Sequence, residues 1–299
     1  MAASASDNVR VMVNGMPGPM AIAAAEACLR KGLSLSPFAM TGPDVEPTSI
    51  TVLDKVTGTS ANVRLIPSSD LEEMNSTLEQ TRAAEDSSIT IMAIDYTHPS
   101  AVNSNAKFYA EQKIPFVMGT TGGDREQLMK DMENASASAV IAPNMGKQIV
   151  ALQAGLEDLA KKFPAAFGGY TLHTRESHQK TKADTSGTAK AVVDSLKTLS
   201  GKTEEDYTYD DIEMIRDEEE SKAFGVQEEF VRGGHAFHTY TLTSPDGSVE
   251  FQLKHNVSGR TVYAEGTADA IKFLAKKIGQ GEGGKVYSMI NVLEEGAME

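Results

Sequence analysis

The residues with the clearest chemical potential lie between Arg175 and Ala189, in the segment R-E-S-H-Q-K-T-K-A-D-T-S-G-T-A. Two side chains that can transfer protons, His178 and Lys182, stand within five residues. The segment closes on Ser186-Gly187-Thr188, where the apolar spacing of a helix begins. A Ser or Thr at a helix start accepts a hydrogen bond from a backbone N–H, and the helix start favours an anion in front of it. The segment therefore predicts acid–base chemistry on an anionic substrate.

The same residues also fit a purely structural role. Lysine is common on protein surfaces, Ser-Gly-Thr is a common junction between a loop and a helix, and a lone histidine near a strand end is more often structural than catalytic. Residues 170–173 are of strand-forming types, so we predict that the segment is a loop between a strand and a helix. The rest of the chain must decide between the two roles.

The composition limits the class of protein. The chain has 299 residues, of which 40% are hydrophobic and 23% charged, which is typical of one large or two ordinary globular domains. The net charge of −14 argues against nucleic acid and anionic membranes as partners. A substrate anion would therefore need clustered cations, and Lys180, Lys182 and Arg175 form such a cluster in the sequence. No stretch is long and apolar enough to span a membrane.

Two features bear on the cellular compartment. Cys28 is the only cysteine, which excludes an internal disulfide and fits a reducing compartment. Cys28 lies in a helical run of small apolar residues, so we predict that its side chain is buried in the core. The first eight residues, M-A-A-S-A-S-D-N, are too short for a signal peptide and fit a tag remnant or the trimmed edge of a mature protein.

A glycine loop near the N terminus predicts a dinucleotide site. An apolar strand at residues 10–13 leads into Gly15-Met16-Pro17-Gly18-Pro19-Met20-Ala21, followed by an Ala-rich helix that ends near Gly32. Gly15 permits a tight turn, and Gly18 lets the backbone approach a pyrophosphate that then lies on the helix start. The order of strand, glycine loop and helix makes this assignment credible.

The end of the second strand bears on the choice of cofactor. A carboxylate there would bind the ribose 2′-hydroxyl of NAD. After the strand predicted at residues 35–40 the chain reads Thr41-Gly42-Pro43, and Asp44 comes too late for that role. No arginine offers a clamp for a 2′-phosphate either. The choice between NADH and NADPH stays open, although the missing carboxylate removes one obstacle to NADPH.

Three further apolar strands predict a parallel sheet with helices on both faces. Each ends in small or polar residues, at the edge where such sheets bind ligands. These ends are Asp95-Tyr96-Thr97-His98-Pro99, Gly119-Thr120-Thr121-Gly122 and Ala142-Pro143-Asn144-Met145. We therefore expect cofactor contacts from Thr41, Thr97, Gly119, Thr120, Thr121 and the four residues Ala142, Pro143, Asn144 and Met145.

The pattern changes in the second half. A long helix at residues 148–162 is followed by a hinge-like break at Gly168-Gly169. The strands predicted at residues 236–243 and 248–255 flank a turn, which indicates an antiparallel hairpin. The acidic run at residues 217–220 is predicted to be a solvated loop.

The final helix, predicted at residues 264–278, and an apolar strand at residues 286–293 are expected to return to the first sheet. The sequence thus predicts an α/β protein with a Rossmann-like, doubly wound parallel sheet in a dinucleotide-binding domain of residues 1–145 and 262–299. Residues 146–261 would form a smaller α+β domain, with a mixed or antiparallel sheet, for substrate binding and oligomerisation.

Over nearly its whole length the chain resembles the dihydrodipicolinate reductase family. The family's signature is Glu-Ala-His-His, then a Lys, then Asp-Ala-Pro-Ser-Gly-Thr-Ala. Here it stands as Glu176-Ser177-His178-Gln179, Lys182 and Asp184-Thr185-Ser186-Gly187-Thr188-Ala189. Gln179 replaces the second histidine and the proline before Ser186 is missing, which is similar to the plant-type branch.

The resemblance implies roles for these residues. His178 corresponds to the acid–base histidine and Lys182 to the proton donor, while Ser186, Gly187 and Thr188 correspond to residues that hold a substrate carboxylate. Gln179 takes the place of a substrate-contacting histidine. Residues 15–20 correspond to the pyrophosphate loop, and residues 119–121 and 142–145 to the loops at the nicotinamide end. His255, Arg260 and residues 264–266 match with lower specificity.

The implied reaction is reduction of 4-hydroxy-tetrahydrodipicolinate to tetrahydrodipicolinate in diaminopimelate and lysine biosynthesis. The cofactor would be NADPH, with NADH possible, and the partner a small dicarboxylate. The domains would close over it, with hinges near residues 145 and 262. The resemblance further implies a homo-oligomer, a dimer or tetramer, in the chloroplast stroma if the source is a plant and otherwise in the cytoplasm.

Three other interpretations remain open. Another two-domain reductase would keep the dinucleotide domain, as a semialdehyde or sugar dehydrogenase does. The first of these would need a catalytic cysteine, and Cys28 lies in the wrong helix. A nucleotide-binding sensor would lack catalysis and show a degraded site. His173, His235 and His238 could ligate a metal, but no cysteine partner or fixed carboxylate spacing supports zinc, so we predict no metal.

Overall fold

A computed structural model describes residues 8–296, and the chain divides into two compact units. Unit 1 runs up to Lys147 and resumes at Thr261, and unit 2 is Gln148–Arg260. The predicted tag remnant or trimmed edge at residues 1–8 lies outside the described residues except for Asn8. Among residues 8–296, no helix combines the length and the apolar character that crossing a membrane requires.

The strands and helices are numbered in chain order. The strands are β1 Val9–Asn14, β2 Ser34–Leu35, β3 Phe38–Thr41, β4 Thr48–Leu53, β5 Ser60–Pro67, β6 Thr90–Asp95, β7 Phe116–Met118, β8 Ala139–Ile141, β9 Thr171–His178, β10 Glu213–Ile215, β11 His235–Thr243, β12 Glu250–Ser258 and β13 Val286–Tyr287. The α-helices are α1 Pro19–Arg30, α2 Leu71–Ala84, α3 Val102–Glu111, α4 Arg125–Asn134, α5 Lys147–Lys162, α6 Gly187–Ser200, α7 Glu218–Ala223, α8 Glu228–Gly233, α9 Thr261–Gly279 and α10 Met289–Glu294.

Unit 1 is built on a parallel sheet in the order β13-β8-β7-β6-β1-β2. Consecutive residues of β6 and β7 are buried, so both faces of these strands are covered. That burial explains why the strands read as continuous apolar runs rather than as alternating ones. The predicted Rossmann-like sheet is confirmed.

The predicted second strand is two strands in two sheets. β2 pairs in parallel with β1, whereas β3 joins β5 and β4 in a separate three-stranded sheet. Pro37 lies between them and has no N–H for a sheet ladder, so a single strand cannot run through this point. The prediction of one strand over residues 35–40 was therefore wrong.

The predicted last strand, residues 286–293, is also shorter than expected. β13 has two residues, which return to the first sheet beside β8 as predicted. Ser288 then forms a capping box with Asn291 and starts α10. Met289 and Val292, three residues apart, are buried on one side of this helix. An apolar run with helical spacing and a cap was thus misread as a strand.

Unit 2 contains a mixed sheet in the order β10-β9-β11-β12, which confirms the predicted sheet type. β9, β11 and β12 are antiparallel, and β10 lies parallel to β9. One core cluster of this unit joins α6, through Val192 and Val193, to Leu172 and Tyr240 of the sheet.

Two predictions for unit 2 need correction. The acidic run at residues 217–220 is the start of α7 rather than a loop, because the Asp217 carboxylate accepts hydrogen bonds from the N–H groups of Glu219 and Glu220. Acidic side chains are favoured in the first turn by the helix dipole. Gly168-Gly169 lies in a turn inside unit 2, between α5 and β9, and not at a unit boundary.

Candidate active site

His178 is the last residue of β9, although the sequence predicted a loop from Arg175 onward. β9 is extended because it is paired on both sides, with Ala236 of β11 opposite His178 and Ile215 of β10 opposite Ser177. Pairing with residues far along the chain cannot be read from local residue types. The consequence is that the histidine stands on a rigid strand end and not on a mobile loop.

The imidazole of His178 is buried and lies against a second histidine. Its Nε2 is 3.3 Å from Nε2 of His238, and the two rings meet edge to face. Burial, reinforced by the nearby charges of Arg216 and Lys182, lowers the pKa of His178 to about 3. The side chain is therefore neutral near pH 7 and suited to hydrogen bonding, and its low pKa makes it a weak base.

Lys182 lies four residues after His178 in the loop that joins β9 to α6. Its N–H donates to the carbonyl of Gln179, and its ammonium is 2.8 Å from the carboxylate of Asp184. The hydrogen bond from Lys182 lowers the pKa of Asp184. Asp184 is mostly exposed, so it does not confine the lysine tightly. The ammonium can therefore exchange this partner for a substrate group.

The start of α6 has the expected capping geometry. Ser186 is the N-cap, and its hydroxyl accepts a hydrogen bond from the N–H of Ala189 at 3.4 Å. Gly187 and Thr188 form the first helical positions, and the first turn carries no acidic side chain. The position is thus compatible with an anionic group in front of the helix.

A cavity of about 470 Å³ adjoins this segment. Of the predicted site residues, His178 and Gln179 line it, together with Lys180, Thr181 and Arg216. Lys180 therefore lies beside the candidate site, as predicted for a member of the cation cluster.

The third member of that predicted cluster, Arg175, is held elsewhere. Its guanidinium pairs with both carboxylate oxygens of Glu213, at 3.0 and 2.9 Å, and lies over the ring of Phe224. Arg216 takes the place that was expected for Arg175, next to Lys182 and buried Glu176. Arg216 could not be predicted from the sequence. It follows β10 and contacts the loop after β9 only because these two strands pair, and no local pattern reveals that pairing.

The histidines weighed as metal ligands are not brought together. His173 pairs with Glu213, and His235 hydrogen-bonds Ser177 at 2.9 Å. His238 instead lies with Glu176 and His178, and their potential ligand atoms are within 4.8 Å of one another. Glu176 already carries the guanidinium of Arg216, so a positive charge stands where a metal ion would bind.

In unit 1, the glycine loop after β1 has the geometry that a dinucleotide requires. Gly15 adopts φ +98°, and a Cβ there would lie 2.1 Å from the carbonyl oxygen of Tyr96. Gly18 is the N-cap of α1 without a side-chain hydrogen bond, and Pro19 opens the helix. No acidic residue lies in the first turn. These residues fit a pyrophosphate bound at the helix start.

The other residues of the loop contribute differently. Met16 is fully buried, and its carbonyl accepts the hydroxyl of Thr41 at 2.6 Å, so these two residues hold the shape of the loop. Pro17 is exposed, and Met20 is partly buried. The backbone of the loop, rather than the side chain of Met16, is therefore what a nucleotide can contact.

The loops after β6 and β7 are tied to one buried carboxylate, Asp95. Its Oδ1 accepts the hydroxyls of Thr97, at 2.8 Å, and Thr120, at 2.7 Å. Its Oδ2 accepts the hydroxyl of Tyr109 at 2.7 Å. Gly119 is close to Tyr96, where a Cβ would fall 2.4 Å from the ring. Asp95 thus positions two predicted cofactor residues, a role that the sequence did not reveal.

The last predicted cofactor loop follows β8. Ala142 and Met145 are buried, and the side chain of Asn144 accepts the N–H of Gly146 at 2.8 Å. A cavity of about 290 Å³ brings this loop together with the loop after β7, and its lining includes Thr120, Thr121, Ala142 and Pro143. Both loops therefore face one space in unit 1.

Two family models match the chain. "Dihydrodipicolinate reductase, N-terminus" covers residues 9–145, and "Dihydrodipicolinate reductase, C-terminus" covers residues 149–293. The chain is similar to "Probable 4-hydroxy-tetrahydrodipicolinate reductase 1, chloroplastic" of Oryza sativa subsp. japonica, with 44% identity over 96% of this chain and 79% of the relative. It is also similar to "4-hydroxy-tetrahydrodipicolinate reductase 1, chloroplastic" of Arabidopsis thaliana, with 42% identity over 98% of this chain and 80% of the relative.

Among solved structures, the fold is similar to that of a dipicolinate-bound dihydrodipicolinate reductase from Paenisporosarcina sp. TG-14. The TM-score is 0.60 at 17% sequence identity, and the match covers 94% of this chain and 97% of that chain. At this identity the likeness concerns the fold alone.

Proposed function

The chain belongs to the dihydrodipicolinate reductase family, and from that premise we propose how it acts as a 4-hydroxy-tetrahydrodipicolinate reductase. The enzyme is an oxidoreductase that uses a nicotinamide cofactor. Its reaction, reduction of 4-hydroxy-tetrahydrodipicolinate to tetrahydrodipicolinate, belongs to diaminopimelate and lysine biosynthesis. The observation that carries the assignment of the site is that one short loop, residues 179–186, carries Lys182 and joins His178 at the end of β9 to the start of α6.

Lys182 is the proton donor in this proposal. A proton must reach the ring after reduction, and the ammonium of Lys182 carries one next to an exposed carboxylate partner that it can give up. Before it donates the proton, the same ammonium neutralises a substrate carboxylate. His178 is neutral and a weak base, so it contributes hydrogen bonds to the site rather than the proton.

The substrate carboxylate is assigned to the start of α6. Ser186, Gly187 and Thr188 offer the capping hydroxyl and the first backbone groups of that helix. The helix dipole favours negative charge at this end. Gln179 lines the adjoining cavity and is assigned a hydrogen bond to the substrate. Unit 2 is thereby the substrate-binding domain.

Unit 1 is assigned the cofactor. A bound nicotinamide supplies the hydride of the reaction. Residues 15–20 would hold the pyrophosphate, Thr41 and Thr97 the adenosine half, and residues 119–121 and 142–145 the nicotinamide half. The support is the φ of Gly15, the uncapped start of α1 and the shared cavity of the two later loops.

NADPH is the proposed cofactor, with NADH as a second substrate. β3 ends at Thr41, whose hydroxyl is already bonded to Met16, and no carboxylate occupies the position that selects a free ribose 2′-hydroxyl. A 2′-phosphate therefore meets no fixed negative charge at the strand end.

The assembly and location are further parts of the proposal. The protein is a homo-oligomer that forms through unit 2. The support is β12, which lies at the edge of its sheet with Phe251 half exposed. The plant relatives are named chloroplastic, so we assign the chloroplast stroma.

A semialdehyde dehydrogenase, the strongest enzymatic alternative, is disfavoured by Cys28. Its thiol is fully buried in α1, and burial raises its pKa to about 12. A thiolate nucleophile would need the opposite shift.

The test is complementation. A bacterial strain that lacks its own reductase and requires diaminopimelate should grow without it when this chain is expressed. A Lys182→Ala variant expressed at the same level should not restore growth. Failure of the unaltered chain to support growth, with folded protein present in the cells, would contradict the proposed function.

A further inference from the structure

Arg216 makes several contacts with the loop of residues 179–186, which carries Lys182. It follows β10, whose Ile215 pairs with Ser177, so the arginine arrives beside the end of β9. Its Nε donates to the carbonyl of Lys182 at 2.8 Å, and one terminal nitrogen donates to the carbonyl of Asp184 at 3.2 Å. The same terminal nitrogen pairs with the carboxylate of Glu176. One planar group therefore fixes the backbone at Lys182 and two residues after it.

Glu176 extends this connection to the start of α6. Its carboxylate is fully buried, and the oxygen not used by Arg216 lies nearer to the N–H of Ser186, at 3.0 Å. Ser186 is the N-cap of the helix that faces the substrate carboxylate. The Glu176–Arg216 pair thus joins β9, the Lys182 loop and the first residue of the substrate-binding turn.

The buried Glu176–Arg216 ion pair is not an efficient way to stabilise the fold. Removing two charges from water costs several kcal/mol per ion, and apolar residues of the same volume often stabilise a fold as well or better. Apolar residues cannot replace the guanidinium of Arg216, whose N–H groups donate to two loop carbonyls and a carboxylate. The ion pair therefore serves to fix the geometry of the loop that carries Lys182.

The loop depends on this support. The ammonium of Lys182 is paired with Asp184, a carboxylate that is 79% exposed and free to leave. The lysine's position relative to the start of α6 is consequently set by its backbone. Proton transfer needs that position to hold, because a misplacement of about 1 Å can cost ~10²-fold in rate.

We propose that Arg216 and Glu176 are positioning residues that hold Lys182 and the start of α6 in one fixed geometry around the substrate dicarboxylate. The inference rests on the proposed function for its kinetic consequences. Neither residue touches the reacting atoms in this account. Both act through the loop of residues 179–186.

The test compares Arg216→Lys with Arg175→Lys. Arg175 is the matched control, because it lies in β9 beside β10 and pairs with a carboxylate, that of Glu213, but its guanidinium makes no hydrogen bond to the loop of residues 179–186. We expect Arg216→Lys to lower kcat/KM for the dicarboxylate by at least ~10²-fold, with the Kd for NADPH within ~2-fold of the unaltered enzyme. Arg175→Lys should leave both values unchanged.

Two readouts separate positioning from general destabilisation. Added guanidinium ion should raise the rate of Arg216→Ala at least ~10-fold and have no such effect on Arg175→Ala. Amide hydrogen exchange of residues 179–186 should accelerate in Arg216→Lys, while exchange in unit 1 stays unchanged. The exchange measurement does not depend on the reaction.

The outcomes are distinguishable. Arg216→Lys with unaltered turnover, or with unaltered exchange in residues 179–186, would overturn the positioning role. Absence of guanidinium rescue together with a parallel loss of NADPH binding would also overturn it. If the unaltered enzyme neither turns over substrate nor binds pyridine-2,6-dicarboxylate, the proposed function fails, and the exchange data alone then decide the role of Arg216.

Discussion

At the scale of single residues, the site separates two groups that the sequence placed side by side. The residue types mark both His178 and Lys182 as candidates for proton transfer, and the family resemblance is what names Lys182 as the donor. His178 is buried against His238 and neutral, whereas Lys182 pairs with an exposed carboxylate. Burial is a property of the folded chain, so the residue types alone do not separate the two roles.

The role of Lys182 predicts the effect of its removal. Lys182→Ala should lower kcat by at least ~10²-fold, the usual contribution of a positioned acid, while the Kd for NADPH stays nearly unchanged because unit 1 is intact. Lys254→Ala, an exposed lysine on β12 of the same unit, is the control and should retain full turnover. Equal turnover in Lys182→Ala would end the proton-donor assignment.

The neutral state of His178 predicts a pH effect on stability. The unfolded histidine has a pKa of about 6.5, whereas the folded one has a pKa of about 3. Below pH 6.5 the unfolded state binds more protons, so this contribution to the free energy of unfolding is lost as the pH falls from about 6.5 toward about 3. At pH 5 the loss relative to pH 7.5 is about 2 kcal/mol.

Denaturant titrations at pH 7.5 and pH 5 of the unaltered protein and of His178→Gln test this effect. Glutamine does not titrate, so the variant should lose less stability over the same interval, by about 2 kcal/mol. Identical pH dependence in the two proteins would mean that the pKa of His178 is the same in the folded and unfolded states, and would contradict its lowering by burial.

At the scale of elements, local patterns predicted well and distant pairings did not. The glycine loop, α1 and the strong periodicity of α5, α6 and α9 are visible in the sequence because their causes lie within a few residues. The length of β9 depends on partners at residues 213–215 and 236–243, and Arg216 reaches the Lys182 loop only because β10 lies beside β9. Most helices and strands and the signature residues could therefore be predicted from the sequence. The residues that fix the position of the signature residues, such as Arg216, could not.

The turn before α1 gives a prediction at this scale. A Cβ at Gly18 would lie 2.7 Å from the carbonyl oxygen of Gly15, so the turn must shift. Gly18→Val should weaken NADPH binding at least ~10-fold, or about 1.4 kcal/mol, while the protein remains folded. Gly155→Ala in α5, where a Cβ meets open space, is the control. Unchanged titration with NADPH in Gly18→Val would refute the pyrophosphate loop.

At the scale of the whole molecule, the predicted site residues divide between the two units. The predicted cofactor residues all lie in unit 1, and the predicted catalytic and substrate residues all lie in unit 2. A chain with a net charge of −14 must still bind an anionic cofactor and a dianion. In the proposed function, these anions bind at the starts of α1 and α6 and beside the ammonium groups of Lys180 and Lys182.

The proposed assembly gives a prediction for the whole molecule. Light scattering should return a mass that is two or four times the 32.0 kDa of one chain. Phe251→Glu places a charge on the exposed edge strand β12 and should shift the protein toward the monomer. A monomeric unaltered protein would contradict the proposed oligomer without touching the assignment of the site.

The most direct test of the central claim is the oxidation of NADPH, and separately of NADH, by the purified enzyme with freshly prepared 4-hydroxy-tetrahydrodipicolinate. We expect rapid, substrate-dependent oxidation, faster with NADPH than with NADH. No oxidation of either nucleotide, in a preparation that still binds both, would contradict the assigned reaction while leaving the Rossmann-like fold intact.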